Sequence, residues 1–284
     1  MTASADELRP NLQLVPAQRI RFHEALEHRR THRLVERLKT EARLRNPPIV
    51  ATMPDGDYLL LDGANRVSAF LELGYSHVPV QVVEYGDTAV QLKGWHHLLM
   101  DAESLRLRPI YEALARVTMR RIEQAQLVTL LELRQVFAVL VEHGNAFWGL
   151  FPNGQSRPTI EERIEILNEI VDAYEGQSKI ERIKLADYSQ LPKDIDEAKQ
   201  QLVLFPVLYK EELIALAAQG IRIPTGLSRH LVPGRTLGLN LKLAFLTELE
   251  THEEKVAHFE SYLRQLAVEG RIRFYEEPVF IMNE

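Results

Sequence analysis

Apolar residues recur along this chain at two spacings, and the alternation between them maps its elements. In THRLVERLKTEARL, Leu34, Leu38 and Ala42 fall four apart, which predicts a helix with Thr31 as its N-cap. The paired prolines of NPPIVATM end that helix, and Ile49 and Val50 open a strand. DGDYLLL reads as a turn leading into a second strand. A helix follows over 64–73, with Val67, Phe70 and Leu71 on one face and Gly74 as its stop. VPVQVVEY and AVQLKGW are strand candidates, the first strongly β-branched.

Past Asp101 the pattern changes. Helical periodicity runs through IYEALARVTMRRIEQAQLVTLLEL, and VFAVLVEH and AFWGLF then read as strands around a turn at Gly144 and Asn145. PTIEERIEILNEIVDAYEG carries the clearest helical pattern. Thr159 and Glu162 form a capping box, Ile160, Ile164, Leu167 and Val171 make the apolar stripe, and Gly176 ends it. A polar connection near 189–196 leads to a strand over 202–209, a helix over 211–218 and a loop-rich stretch to Arg235. A late helix starts at the capping box of Thr251 and Glu254 and ends at Gly270; RIRFYEEPVFIM reads as a closing strand. The expectation is an α+β chain with a soft boundary near residue 102, dividing it into 1–102 and 103–284.

Composition narrows the chemistry. The 284 residues are 45% hydrophobic and 26% charged, enough apolar content for a sizeable core and no sign of long disorder. There is no cysteine, which excludes disulfides, thiolate metal sites and a cysteine nucleophile. No apolar run approaches the ~18 residues of a membrane span, and the polar, acidic start MTASADELRPN is unlike a secretory signal. A soluble cytoplasmic protein without a membrane partner is expected. The net charge of −6 argues against a general nucleic-acid coat. Residues 19–45 depart from that average: eight arginines and Lys39 stand against four glutamates, a candidate anion-binding surface.

The stretch LLLDGANRVSAFLELG is the most suggestive piece of chemistry. A strand, an Asp-Gly pair and a helix start together present free backbone N–H groups and the positive end of a helix dipole. Gly63 lets the backbone turn sharply. Arg66, in the first turn, is badly placed for helix stability alone but well placed for a bound phosphate or carboxylate. Asp62 would then hold Mg²⁺. On the other reading, Asp62 is a helix cap and Arg66 a surface residue. No Gly-Lys-Ser/Thr follows, so this is not a P-loop. The second anion-site candidate is TGLSRHLVPGR, where Ser228, Arg229, His230 and Arg235 lie in a constrained loop; the alternative is a solvated basic loop. HEALEH is not a zinc motif, because His23 and His28 are five apart rather than four. His96 and His97 would point to opposite faces of a strand and read as structural.

LLLDGANRVSAFLELGYSHVPVQVVEY resembles the signature of the ParB/sulfiredoxin superfamily. Sulfiredoxins carry a cysteine there, and its absence excludes their activity. Chromosome-partitioning proteins usually have Gly-Glu-Arg-Arg at that point and add a helix-turn-helix region, which this sequence does not show. The branch most similar is the free L-serine kinases, which include siderophore-associated proteins. Three blocks carry the likeness: FHEALEHRR with PPIV, DGANR with VQVVEY and the following Trp95, and IPTGLSRHLVPGRTLGLNLKL. Archaeal members tend to have two histidines where this chain has Ala64 and Asn65.

The resemblance implies a ParB/Srx-like nucleotide-binding domain at 1–102, with 103–284 completing the substrate site. It implies phosphorylation of free L-serine to O-phospho-L-serine by a nucleotide, ATP favoured over ADP, with Mg²⁺. Glu24 would activate the substrate hydroxyl. Asp62 would hold the metal or orient that hydroxyl, while Gly63, Ala64, Asn65 and Arg66 cradle phosphates. Ser228, Arg229 and His230 would contact serine. Two readings compete with this one. The basic segment 19–45 supports a ParB-like, nucleotide-responsive DNA-binding regulator, and the same sites would also suit a scaffold without turnover. Homodimer formation stays open.

Overall fold

The computed structural model describes residues 10–26, 28–100, 102, 105–142, 146–154, 157–185 and 200–275. The chain divides into two compact units. The first holds 1–22, 26–91 and 231–284; the second holds 23–25 and 92–230. The division therefore does not follow the expected cut after 102. The C-terminal segment returns to the first unit, and three residues around Glu24 belong to the second.

In the first unit a five-stranded sheet runs in the order Leu12–Pro16, His77–Val83, Ile49–Thr52, Tyr58–Asp62, Ile20–Arg21. Ile49–Thr52 pairs parallel with His77–Val83 and antiparallel with Tyr58–Asp62, with a register shift between Ile49 and Val50. Helices His28–Glu41, Ala64–Glu72 and His252–Val268 contribute to one core, in which Val35, Val50, Leu60, Val67, Phe70, Val80 and Phe259 are buried. Burial of this many large side chains is the main stabilising term for such a unit.

The second unit is built on a six-stranded sheet in the order Lys179–Ile183, His96–Met100, Gln201–Leu204, Ala138–Glu142, Ala146–Pro152, Val117–Ile122. Its pairings are all antiparallel. Ala138 to Val141 are wholly buried, so this strand reads as a continuous apolar run rather than an alternation. Helix Ile160–Asp172 starts at the expected capping box, Thr159 accepting from the Glu162 N–H at 3.2 Å and Glu162 accepting from the Thr159 N–H at 2.8 Å.

Several expectations change. The first long helix begins at His28, so Thr31 lies inside it, and the Thr31 hydroxyl donates to Asn65 Oδ1 at 3.2 Å. Leu71 is exposed; Val67 and Phe70 alone of that trio are buried. The helical reading of 110–133 breaks into helix Leu107–Glu112, strand Val117–Ile122 and helix Leu127–Glu132. Pairing of Val117–Ile122 with Ala146–Pro152 supplies a ladder that outweighs local helical propensity. The strand expected over 202–209 is Gln201–Leu204, and LGLNLKL forms only the two-residue strand Leu241–Lys242. Residues 271–275 form no strand. The turn at Gly144 and Asn145, the connection near 189–196 and the rest of the closing strand lie outside the described residues. Among the described residues, no helix is long and apolar enough to cross a membrane.

Candidate active site

In the first unit, strand Tyr58–Asp62 delivers its carboxylate to the start of helix Ala64–Glu72. Gly63 makes the turn with φ +97°, and a Cβ there would lie 2.8 Å from the Arg66 guanidinium and 3.0 Å from Pro48. Both the conformation and the space call for glycine. The N-cap is Gly63, not Asp62, and no side-chain cap bond is found among the described residues. Asp62 Oδ2 instead accepts from Arg66 Nη2 at 2.8 Å and from Arg235 Nη2. Gln81 fixes the second arginine's loop, donating to the Gly234 carbonyl at 2.9 Å and accepting from the Thr236 N–H at 2.8 Å. Arg235 thus belongs with Asp62, in a different unit from Ser228 and its neighbours.

Arg66 Nε is buried with no hydrogen-bond partner among the described residues, an orphaned donor beside a helix start without a side-chain cap. Both features are satisfied by an anion. A cavity of about 550 Å³ opens here, lined by Arg33, Arg37, Arg43, Arg45 and Arg66, with Gly63, Ala64 and Asn65. One carboxylate, Glu41, faces these five guanidiniums, and it bonds Arg37 at 3.0 Å and Arg45 at 3.1 Å. The lining is strongly cationic, in keeping with the basic bias of 19–45.

The second unit assembles a different constellation. An isolated parallel bridge joins Glu24 to Ile223. The Ile223 N–H donates to the His23 carbonyl at 2.9 Å, the Ala25 N–H donates to the Ile223 carbonyl at 2.9 Å, and Thr225 Oγ1 donates to the Ala25 carbonyl at 3.0 Å. That lacing presents the Glu24 carboxylate to the turn at 226–228. Oε2 accepts from the Gly226 N–H at 3.1 Å; Oε1 accepts from the Ser228 N–H at 2.9 Å and from its hydroxyl at 2.6 Å. Because the hydroxyl proton goes to Glu24, the 2.7 Å contact between Ser228 Oγ and His23 Nε2 requires that nitrogen to carry a hydrogen. His230 packs edge-on against His23, ring centroids 5.3 Å apart. Arg229 lies over Trp95, 4.9 Å from the ring centroid, and Lys184 approaches the same ring at 5.5 Å.

The expected residues therefore gather in two sets: Glu24 with Ser228, Arg229 and His230, and Asp62 with Gly63 to Arg66. Sequence reasoning assigned His23 no role beyond failing a zinc pattern. Its burial and its bond to Ser228 place it beside Glu24. His96 and His97 are both buried in strand His96–Met100, and burial pushes the pKa of each down to about 4.

No family model matches this sequence. It is 25% identical over 98% of its length to the whole of the ATP-dependent L-serine kinase SbnI of Staphylococcus aureus. It is 24% identical over 78% of its length to an ATP-dependent L-serine kinase of Staphylothermus marinus, covering 85% of that protein. Among solved structures, a C-terminally truncated SbnI superposes with a TM-score of 0.72 at 22% identity, covering 90% of this chain and 96% of that one. The chain is SbnI-like and has the free serine kinase fold. A free serine kinase in complex with AMP also matches this chain, with a TM-score of 0.64 at 20% identity over 84% of it and 94% of the other. The α+β, ParB/Srx-like fold expected from the motifs is thus the fold found.

Proposed function

We propose that this chain phosphorylates free L-serine to O-phospho-L-serine, with ATP as donor. One observation carries the reading: Glu24 Oε1 already accepts a hydrogen bond from a primary hydroxyl, that of Ser228, at 2.6 Å. This is the geometry a general base needs toward a serine hydroxyl. Among the described residues Oε2 holds one donor, the Gly226 N–H, which leaves a lone pair for the substrate. Similarity to L-serine kinases over nearly the whole chain supports the same activity.

In the reaction the serine hydroxyl oxygen attacks the γ-phosphorus, and Glu24 takes its proton. The bond from the γ-phosphorus to the bridging β,γ-oxygen breaks, and ADP leaves. Such a transfer depends on positioning and charge compensation more than on covalent catalysis. Arg66 and the N–H groups opening helix Ala64–Glu72 hold phosphate oxygens, and Arg235, fixed through Gln81, adds a second guanidinium. Arg229 takes the serine carboxylate, with Ser228 and His230 alongside. Asp62 suits Mg²⁺: Oδ2 carries both arginines, and among the described residues no hydrogen bond is made to Oδ1. One carboxylate is enough for an ion whose remaining ligands are phosphates and water. When bound, the ion neutralises phosphate charge.

The test incubates purified protein with L-serine, ATP and Mg²⁺ and follows ³¹P NMR. Phosphoserine and ADP rising in equal amounts, and only with serine present, is the expected result. ATP loss independent of serine, or no phosphoserine, contradicts the reading.

A further inference from the structure

His97 makes two hydrogen bonds from a site that is 1% exposed. Its Nε2 lies 3.1 Å from the Gly226 carbonyl oxygen and its Nδ1 lies 2.8 Å from the Tyr174 hydroxyl. The carbonyl can only accept, so Nε2 carries the hydrogen. Burial, opposed by the Gly226 bond and reinforced by Arg182, keeps the ring neutral, so Nδ1 is an acceptor and Tyr174 donates to it. The phenol thus fixes the tautomer, and the tautomer fixes the bond to Gly226.

Gly226 is the residue whose N–H reaches Glu24 Oε2, and two residues on Ser228 supplies both donors to Oε1. The turn has little other latitude. Gly226 adopts φ +77°, and a Cβ there would come within 2.0 Å of Arg182 Nε. Phe205 packs edge-on against the imidazole with centroids 5.2 Å apart, closing the site.

We infer that His97, locked by Tyr174, is a positioning residue for the catalytic carboxylate. It holds the 226–228 turn so that its donors aim at Glu24, without touching substrate itself. This deepens the kinase reading and rests on it for the expected effect on rate. A base displaced by ~1 Å can cost on the order of a hundredfold in turnover, so a residue that only orients the donors has that much leverage.

The experiment compares the full chain with His97→Leu, His97→Gln and Tyr174→Phe. It measures amide hydrogen exchange at Gly226 and Ser228 together with steady-state kinetics. His97→Leu should speed exchange at both amides and lower kcat up to about a hundredfold, with the KM for ATP unchanged. His97→Gln keeps an N–H for the Gly226 carbonyl and should restore most of both properties. Tyr174→Phe releases the tautomer and should shift both in the same direction by less. If His97→Leu does not fold, Tyr174→Phe decides: unchanged exchange and unchanged kcat in that folded variant overturn the inference. Unchanged exchange in a folded His97→Leu does the same, as does a rise in ATP KM with kcat preserved. Should the wild-type chain make no phosphoserine, the kinase reading fails, and the exchange pattern alone still judges the role of His97.

Discussion

The two units hold their candidate functional groups by opposite means. In the first, the charges do the work: five arginines face one glutamate around an uncapped helix start, and Arg37, Arg43, Arg45 and Arg235 keep substantial solvent exposure. In the second, Glu24 is held by two backbone N–H groups and a hydroxyl, with neutral, buried His97 behind the turn. Exposed arginines suit a flexible, highly charged ligand that must bind and leave. A carboxylate fixed by directional bonds suits a base that must meet one proton at one position. Salt should separate the two, since exposed charges are screened over about 10 Å at 0.1 M while short hydrogen bonds are not.

Glu24→Gln has the largest expected effect. The amide keeps the shape and loses the base, so kcat should fall by roughly 10²–10⁴-fold, measured as phosphoserine formed per unit time. Arg66→Gln comes next. Charge-assisted hydrogen bonds are worth about 1.5–3 kcal/mol, so the KM for ATP should rise by about ten- to a hundredfold, and the wild-type KM should rise with salt. A KM independent of salt would remove the electrostatic half of the comparison.

Acid distinguishes the units in a third way. His96 and His97, lowered from 6.5 to about 4 chiefly by burial, stay neutral in the fold while unfolded histidines take up protons below pH 6.5. The unfolded state binds more protons between pH 6.5 and 4, so stability should fall as pH drops through that window and level off below it. The loss is on the order of 3 kcal/mol per ring. Both tryptophans, Trp95 and Trp148, lie in the second unit, so their fluorescence in urea titrations reads this loss there. His97→Leu should remove about half of the acid sensitivity. The smallest effect belongs to Thr159→Ala, which deletes one half of a capping box and should cost about 1 kcal/mol by the same fluorescence.

These contrasts also explain what the sequence could and could not show. Helices with local punctuation were legible: the capping boxes at Thr159 and Thr251 start helices Ile160–Asp172 and His252–Val268. Strand Val117–Ile122 was not, because its pairing with Ala146–Pro152 is a long-range fact laid over an arginine- and leucine-rich stretch. The candidate anion site was partly legible, since the Asp-Gly, the helix start and the basic bias are all local. Glu24 emerged through resemblance, and its pairing with the Ser228 loop was not legible, because spacing alone does not link residues 204 positions apart. His23 and His97 carried no local signal at all. Their bonds reach Ser228 and Gly226 across 205 and 129 positions, and only the folded chain brings those groups together.

The most direct test of this division of labour measures ATP binding and phosphoserine formation on Glu24→Gln and Arg66→Gln side by side, with calorimetry for the first and ³¹P NMR for the second. Glu24→Gln should bind ATP as the wild type does and form almost no phosphoserine; Arg66→Gln should bind ATP weakly and approach wild-type turnover at saturating ATP. Turnover preserved in Glu24→Gln, or ATP binding lost with it, would contradict the account.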